Sequence, residues 1–207
     1  MRHLAWAGIL APLLRLGLIL LLGVVHPDYS QTRDFISELG APDAAFPAVM
    51  NLLGIAFVGL LLVVFSVPLR RLQPPGPLGT AGSLLLALSG VAFVAVGLLP
   101  CDQPGCSPES PSAVMQGHLV AGLTGMTTQT LAALAFGLRL FSGTGPRWYA
   151  AASLALGLAA LFALGLLFVT GLRMPTPGIA QKMMQFSADS WVFVSAVALL
   201  RARRVGA

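Results

Sequence analysis

The chain has 207 residues, 57% of them hydrophobic and only 9% charged. A soluble domain carries roughly a quarter charged residues, so lipid rather than water must solvate most of this surface. The formal net charge of +5 comes without a basic patch interleaved with aromatics, which sets nucleic acid aside as a partner.

Spanning a bilayer takes about 20 mostly apolar residues. Six stretches qualify, at roughly 4–25, 46–69, 79–99, 115–141, 148–172 and 179–200. The first follows Arg2 as a secretory signal would. It is long, however, Arg15 interrupts it, and no small-x-small cleavage site precedes His26; an uncleaved span is expected. Pro- and Gly-rich segments separate later spans, including Gln73-Pro74-Pro75-Gly76-Pro77 and Met174-Pro175-Thr176-Pro177-Gly178. Such residues stop helices. The expected fold is all-α: one transmembrane domain over residues 1–207, built as an integral membrane six-helix bundle with a short interfacial helix after the first span.

Lys and Arg in short loops set orientation. With alternating spans, Arg2, Arg70, Arg71, Arg139, Arg147, Arg201, Arg203 and Arg204 share one side. The other side has Arg33, Arg173 and Lys182, together with Asp28, Asp34, Glu38, Asp43, Asp102 and Glu109. Both termini are therefore expected in the cytoplasm of a multi-pass plasma-membrane protein. Cys101 and Cys106, in CDQPGC, fall in the third, outer loop, where Pro104 and Gly105 can turn the chain back. A disulfide is the expected state outside the cytoplasm, with a redox-active or metal-binding pair as the alternative.

The stretch HPDYSQTRDFISELG at 26–40 concentrates polar groups between the first two spans. Asp28 with Gln31 resembles a capping box, Ser30 is a second candidate cap, and Gly40 is a plausible stop. These signals predict a helix over 29–39. Thr32, Phe35, Ile36 and Leu39 would form its apolar face, and Ser30, Asp34, Ser37 and Glu38 its polar face. Asp34 and Glu38 at i,i+4 repel unless a cation, proton or metal lies between them. The helix is expected either to lie solvated in the interface or to roof a polar cavity with its carboxylates inward; the second is the working reading.

Other polar residues fall at the same level. His26 ends the first span and Asn51 begins the second. His118 opens the fourth, with Gly122, Gly125 and Gln129 on its face. Gly117, Ala121 and Gly125 make a small-xxx-small pattern that allows close helix approach. Thr124, Thr127, Thr128 and Thr130 are expected to bond back to their own helix. Gln181, Gln185 and Asp189 form one stripe in the sixth span. Polar groups at membrane depth need partners or a cavity. Arg15 and Asp189 are the ionisable residues near mid-membrane, so an Arg15–Asp189 ion pair is expected; the alternative is a snorkelling Arg15. The ligand-binding set expected is His26, Tyr29, Arg33, Asp34, Ser37, Glu38, Asn51, His118, Gln181 and Gln185. His26 and His118 with Asp34 or Glu38 are also a dispersed zinc set, and a haem between the two histidines is weaker still. Ser30 or Ser37 with His118 and an acid lacks a nucleophile elbow.

HPDYSQTRDFISELGA followed by an apolar span resembles a large prokaryotic membrane family catalogued as domain of unknown function 998. The matching positions are Pro27, Asp28, Tyr29, Arg33, Asp34, Ile36, Ser37, Leu39 and Gly40. LLPCDQPGC at 98–106 resembles the loop after the third span, and GHLVAG at 117–122 the fourth-span His motif. The family's second His, four residues before His118, is Val114 here. The resemblance implies a six-span bundle and brings no established activity.

The leading expectation is a membrane protein whose extracytoplasmic-facing polar cavity binds a lipid headgroup or small molecule, for transport or sensing. Arg173 and Lys182 would supply cations to a polar or zwitterionic head. The second is an intramembrane lipid-modifying hydrolase, metal-assisted, with His118 and Asp34 or Glu38 as catalytic candidates. The third is a structural or assembly factor without chemistry.

Overall fold

The structure is a computed structural model that describes residues 2–72, 76–102, 106, 111–141, 146–170 and 176–202. Helices α1 (Arg2–Val25), α2 (Pro47–Leu69), α3 (Pro77–Leu98), α4 (Ala113–Phe141), α5 (Arg147–Thr170) and α6 (Pro177–Ala202) make up most of these residues. Each is long and apolar enough to cross a membrane. Among the described residues there is no strand. The sequence treats Pro77 and Pro177 as breaks between spans, yet both begin the next helix, as does Pro47. Proline fits there because the first helical N–H has no intrahelical acceptor to lose.

The helices form a ring. Each packs chiefly on its neighbours in the chain, and α6 closes against α1. One end carries the 26–46 loop and the Cys101–Cys106 disulfide; it is called the disulfide end below. The opposite half is filled by large buried side chains, among them Phe65, Leu86, Phe136, Tyr149 and Trp191. The Phe136 ring meets Trp191 edge-on at 5.5 Å. The buried polar tips there are paired: Trp191 Nε1 donates to Ser153 Oγ at 3.2 Å, and Tyr149 Oη and Ser195 Oγ are 2.5 Å apart. Val24, Val120, Phe162, Phe168 and Val169 point outward and are exposed, as side chains solvated by acyl chains should be.

The tightest helix crossing lies elsewhere than the small-residue pattern of α4. At Gly117, Gly122 and Gly125 the nearest atoms to an added Cβ are side chains of α3 and of Leu99 just beyond it. Backbones touch where α2 crosses α3. A Cβ on Gly90 would sit 2.5 Å from the Gly59 carbonyl oxygen, and one on Gly59 2.5 Å from that of Gly90. Beside this crossing, α2 runs as a π-helix over Met50–Phe57, where Gly97 packs on the Asn51 and Ala56 backbone. The expected back-bonds of α4 are present at Thr124, Thr128 and Thr130, each to the carbonyl four residues earlier.

Gly90→Leu forces two backbones apart and should cost at least the roughly 1–3 kcal/mol of ordinary overpacking. Gly17→Leu, where an added Cβ meets nothing within 4 Å, should be near neutral. Thermal unfolding in detergent checks the contrast; equal midpoints for the two variants would show that the crossing is not close.

Candidate functional site

The 26–40 segment docks onto the head of α6. A helix N-terminus leaves its first N–H groups without partners. Here Gly178 N–H donates to the Arg33 carbonyl at 3.0 Å, and Ile179 N–H to the Thr32 carbonyl at 2.9 Å. Lys182 Nζ donates to the Asp34 carbonyl at 2.6 Å and lies 5.1 Å from the centre of the Tyr29 ring. Gln181 Oε1 accepts from Ile36 N–H at 2.7 Å. Gly178 permits this approach, because a Cβ there would collide with the Asp34 carbonyl.

These contacts explain why the predicted 29–39 helix does not form. The segment is irregular, with turns at Pro27–Asp28 and Gln31–Arg33, and then one short 3-10 helix, Ile36–Gly40. The Thr32, Arg33 and Asp34 carbonyls are committed to α6. N–H groups of the segment are taken by side chains: Ser30 N–H donates to Asp34 Oδ2 at 2.7 Å, and Phe35 N–H to Glu38 Oε1 at 2.8 Å. Short polar side chains compete with helix in this way. The expected caps have other work. Asp28 adopts a left-handed conformation, φ 62°. Gln31 reaches back to the Ile19 carbonyl at 3.1 Å, and Ser30 Oγ accepts from Arg33 N–H.

Asp34 and Glu38 are therefore engaged within their own loop. Arg33 Nε donates to Asp34 Oδ1 at 2.6 Å. Burial alone would raise the Asp34 carboxyl, but Arg33, the Ser30 N–H and Lys182 outweigh it and hold it below the usual range. Glu38 is raised by burial and by the charge of Asp34, which Phe35 N–H, Lys182 and Arg33 only partly offset. Burial and both carboxylates raise Tyr29; it stays neutral and donates to the Phe35 carbonyl at 3.2 Å.

Deeper in the ring, Arg15 Nη1 lies 3.0 and 3.2 Å from the two Asp189 oxygens. Asp189 Oδ1 also accepts from Gln129 Nε2 at 3.0 Å and Gln185 Nε2 at 3.1 Å. The Arg15 guanidinium stacks 4.3 Å from the centre of the Phe93 ring. Both ions sit near the middle of their spans and are buried. Removing one partner of such a pair costs about 3–5 kcal/mol. Arg15 Nη2 has no hydrogen-bond partner.

Arg15 is also among the residues that line a chamber of about 60 Å³, with Ser37, Phe93, His118, Gln181 and Gln185. A second chamber of about 290 Å³ shares Ser37, His118, Gly122, Met126 and Gln181 with it. This larger space is mostly apolar and runs between α4 and α5, past Leu119, Leu123 and Phe168, whose side chains are exposed. His118 Nδ1 donates to the Leu99 carbonyl at 2.7 Å, so neutral His118 presents Nε2 as an acceptor, 3.7 Å from Cys101 Sγ.

Of the expected ligand set, Ser37, His118, Gln181 and Gln185 line the chambers. His26, Tyr29, Arg33, Asp34, Glu38 and Asn51 do not. His26 packs beside Tyr29, and Asn51 Nδ2 donates to the Gly40 carbonyl at 2.8 Å. Lys182 is spent on the loop, and Arg173 and Glu109 lie outside the described residues. The dispersed zinc set is not assembled: no group of three His, Cys, Asp or Glu able to hold a metal occurs among the described residues. The carboxylates are turned to the loop while His118 faces Leu99, which also separates the members of a Ser-His-acid arrangement. Phe93 and Met126 carried no sequence signal beyond being apolar.

These features define a polytopic α-helical membrane protein with a polar centre inside its bundle. The chain belongs to the family described as protein of unknown function DUF998, whose model matches residues 9–198 and so takes in Arg15, the docked loop, His118 and Asp189. No curated protein and no solved structure matches it.

The two loop acids respond to pH in opposite senses. The folded value of Asp34 lies below its unfolded one, so its stabilisation is complete above about pH 4 and lost as pH falls through the depressed value. The folded value of Glu38 is raised, so its contribution is present below the unfolded value and lost as pH rises through the folded one. At neutral pH, Asp34→Asn should speed amide exchange across 28–40, and Glu38→Gln, which keeps the acceptor for Phe35 N–H, should leave it unchanged or slower. Hydrogen–deuterium exchange reads both; equal acceleration by the two substitutions would refute this division of roles.

Proposed function

We propose that this protein binds an amphiphile drawn from the bilayer, for transport or sensing, in a cavity that opens toward the disulfide end and the lipid. The observation that carries this reading is the pair of adjoining chambers, one apolar and one polar. An amphiphile matches that sequence of environments, with its tail between α4 and α5 and its head at Ser37, His118 and Gln181. Ligand sites are generally concave and apolar with a few convergent polar groups, and this one satisfies both conditions.

The same reading places the protein in the plasma membrane with both termini cytoplasmic. Arg70, Arg139, Arg147 and Arg201 lie toward the end opposite the disulfide, which favours that end as cytoplasmic. A disulfide favours an oxidising compartment for the other. The hydrolase reading has no comparable support, since Asp34 and Glu38 are engaged away from His118.

Gly122 gives a direct test. It lines both chambers, and a Cβ there would meet only Val96, at 3.9 Å. Gly122→Leu should fill the shared wall with little strain. Native mass spectrometry of protein purified in mild detergent should show a retained lipid adduct that falls about tenfold in the variant, with the melting midpoint preserved. Absence of any adduct on the wild type, or equal retention by both, would count against a bound amphiphile and favour a structural role.

A further inference from the structure

A groove follows the outer seam between α1 and α6. Its α1 wall is His3, Trp6, Ile9, Pro12 and Leu16, and its α6 wall is Arg201, Val197, Phe193, Ser190 and Phe186. Residues three or four apart share one face of a helix, so each wall is a single stripe. None of these residues borders the two chambers described above. We infer that the groove binds one anionic phospholipid of the leaflet opposite the disulfide, with its phosphate at Arg201 and His3 and an acyl chain laid along Ile9 and Phe193.

The groove has the shape and lining of such a lipid. It consists of two stretches that meet at Phe193: a mouth of about 720 Å³ at the end opposite the disulfide, and an apolar run of about 410 Å³ above it. From Arg201 to Phe186, α6 rises about 22 Å at roughly 1.5 Å per residue, against about 15 Å for half of a hydrocarbon core. One acyl chain therefore fits along it within a single leaflet. The far end reaches Asp189, whose carboxylate is already held by Arg15, Gln129 and Gln185.

The depth of the mouth is marked by tryptophan. Trp6 and Trp148 stand at this end, 59% and 54% exposed. Amphipathic indole rings concentrate at the membrane–water interface, which puts His3 and Arg201 at the level of lipid phosphates.

Charge selects the head. Of the seven acidic residues, four lie within 26–46, two between 102 and 109, and the seventh is Asp189. The segments that make up the end opposite the disulfide thus contribute only basic residues, Arg201 and Arg147 among them. A phosphate in the mouth meets no acidic side chain. The Arg201 guanidinium can bond two of its oxygens as a planar fork, and the His3 ring can add an N–H. A choline head would bring a second cation into this positive field. Free inorganic phosphate would leave the apolar run unfilled. Basic pockets between spans bind anionic lipid heads in this way.

The test titrates delipidated full-length protein in detergent with dioleoylphosphatidylglycerol and dioleoylphosphatidylcholine, with binding read by native mass spectrometry. The anionic lipid should bind one to one and at least about fivefold more tightly than the zwitterionic one. Arg201→Gln keeps a good helix former and should weaken the anionic lipid about fivefold while leaving the other unchanged. Arg147→Gln removes an exposed charge from the same end but outside the groove, and should change neither. Val197→Trp should fill the groove and weaken both; should it fail to fold, the two arginine variants decide. Gly122→Leu should leave this binding intact, because it alters only the other cavity. Equal binding of the two lipids, equal losses in Arg201→Gln and Arg147→Gln, or a folded Val197→Trp that binds normally would overturn the inference. Loss of the anionic lipid in Gly122→Leu would overturn it too, by placing that lipid between α4 and α5.

Discussion

An arginine and an aspartate in the middle of a bilayer-spanning bundle constrain everything around them. Neither ion is tolerable in hydrocarbon alone, and their attraction repays desolvation only when the remaining donors and acceptors are met. Asp189 is met fully, by Arg15, Gln129 and Gln185. Those residues come from α1, α4 and α6, so one carboxylate draws three walls of the ring to a common point. α3 joins through the Phe93 ring against the guanidinium. A shift of any of these helices would strand a charge. Helices that pack in lipid without a hydrophobic driving force gain their specificity from such contacts.

The constraint reaches the surface through α6. Asp189 fixes the depth of that helix, and four positions near its head, Gly178, Ile179, Gln181 and Lys182, receive the 32–36 backbone. The loop is thus held over the bundle by the helix that carries the buried acid. Beneath it, Ser37 and Gln181 form the boundary between the polar chamber and the apolar one. Scaffold and cavity share parts: the arginine that closes the ring is also among the residues that line the polar chamber.

How much of this was legible depended on whether the signal was local. Span positions follow from apolar runs of sufficient length, and the six helices lie within a few residues of the expected limits. Arg15 and Asp189 stand out because charge is so rare at that depth. Cys101 and Cys106 stand out by spacing and lie in a disulfide. The helix expected at 29–39 failed because capping signals describe competition within the segment. Its real partners, the N–H groups of Gly178 and Ile179 and the Lys182 ammonium, lie more than a hundred residues away. The inward-facing carboxylates failed with it. Once Asp34 and Glu38 cap N–H groups of their own loop, they have no reason to face the bundle. The chambers were unreadable for a further reason. They are bounded by apolar residues such as Met126, Leu164 and Phe168, which look in sequence like any other lipid-facing or core position.

An experimental density map of the protein in a native-lipid nanodisc, at a resolution that shows side chains, bears most directly on this arrangement. It should show Asp189 bridging Arg15, Gln129 and Gln185, with elongated density running from the gap between α4 and α5 to Ser37, His118 and Gln181. A map in which Arg15 turns away from Asp189, or in which protein side chains fill the inner chamber, would contradict it.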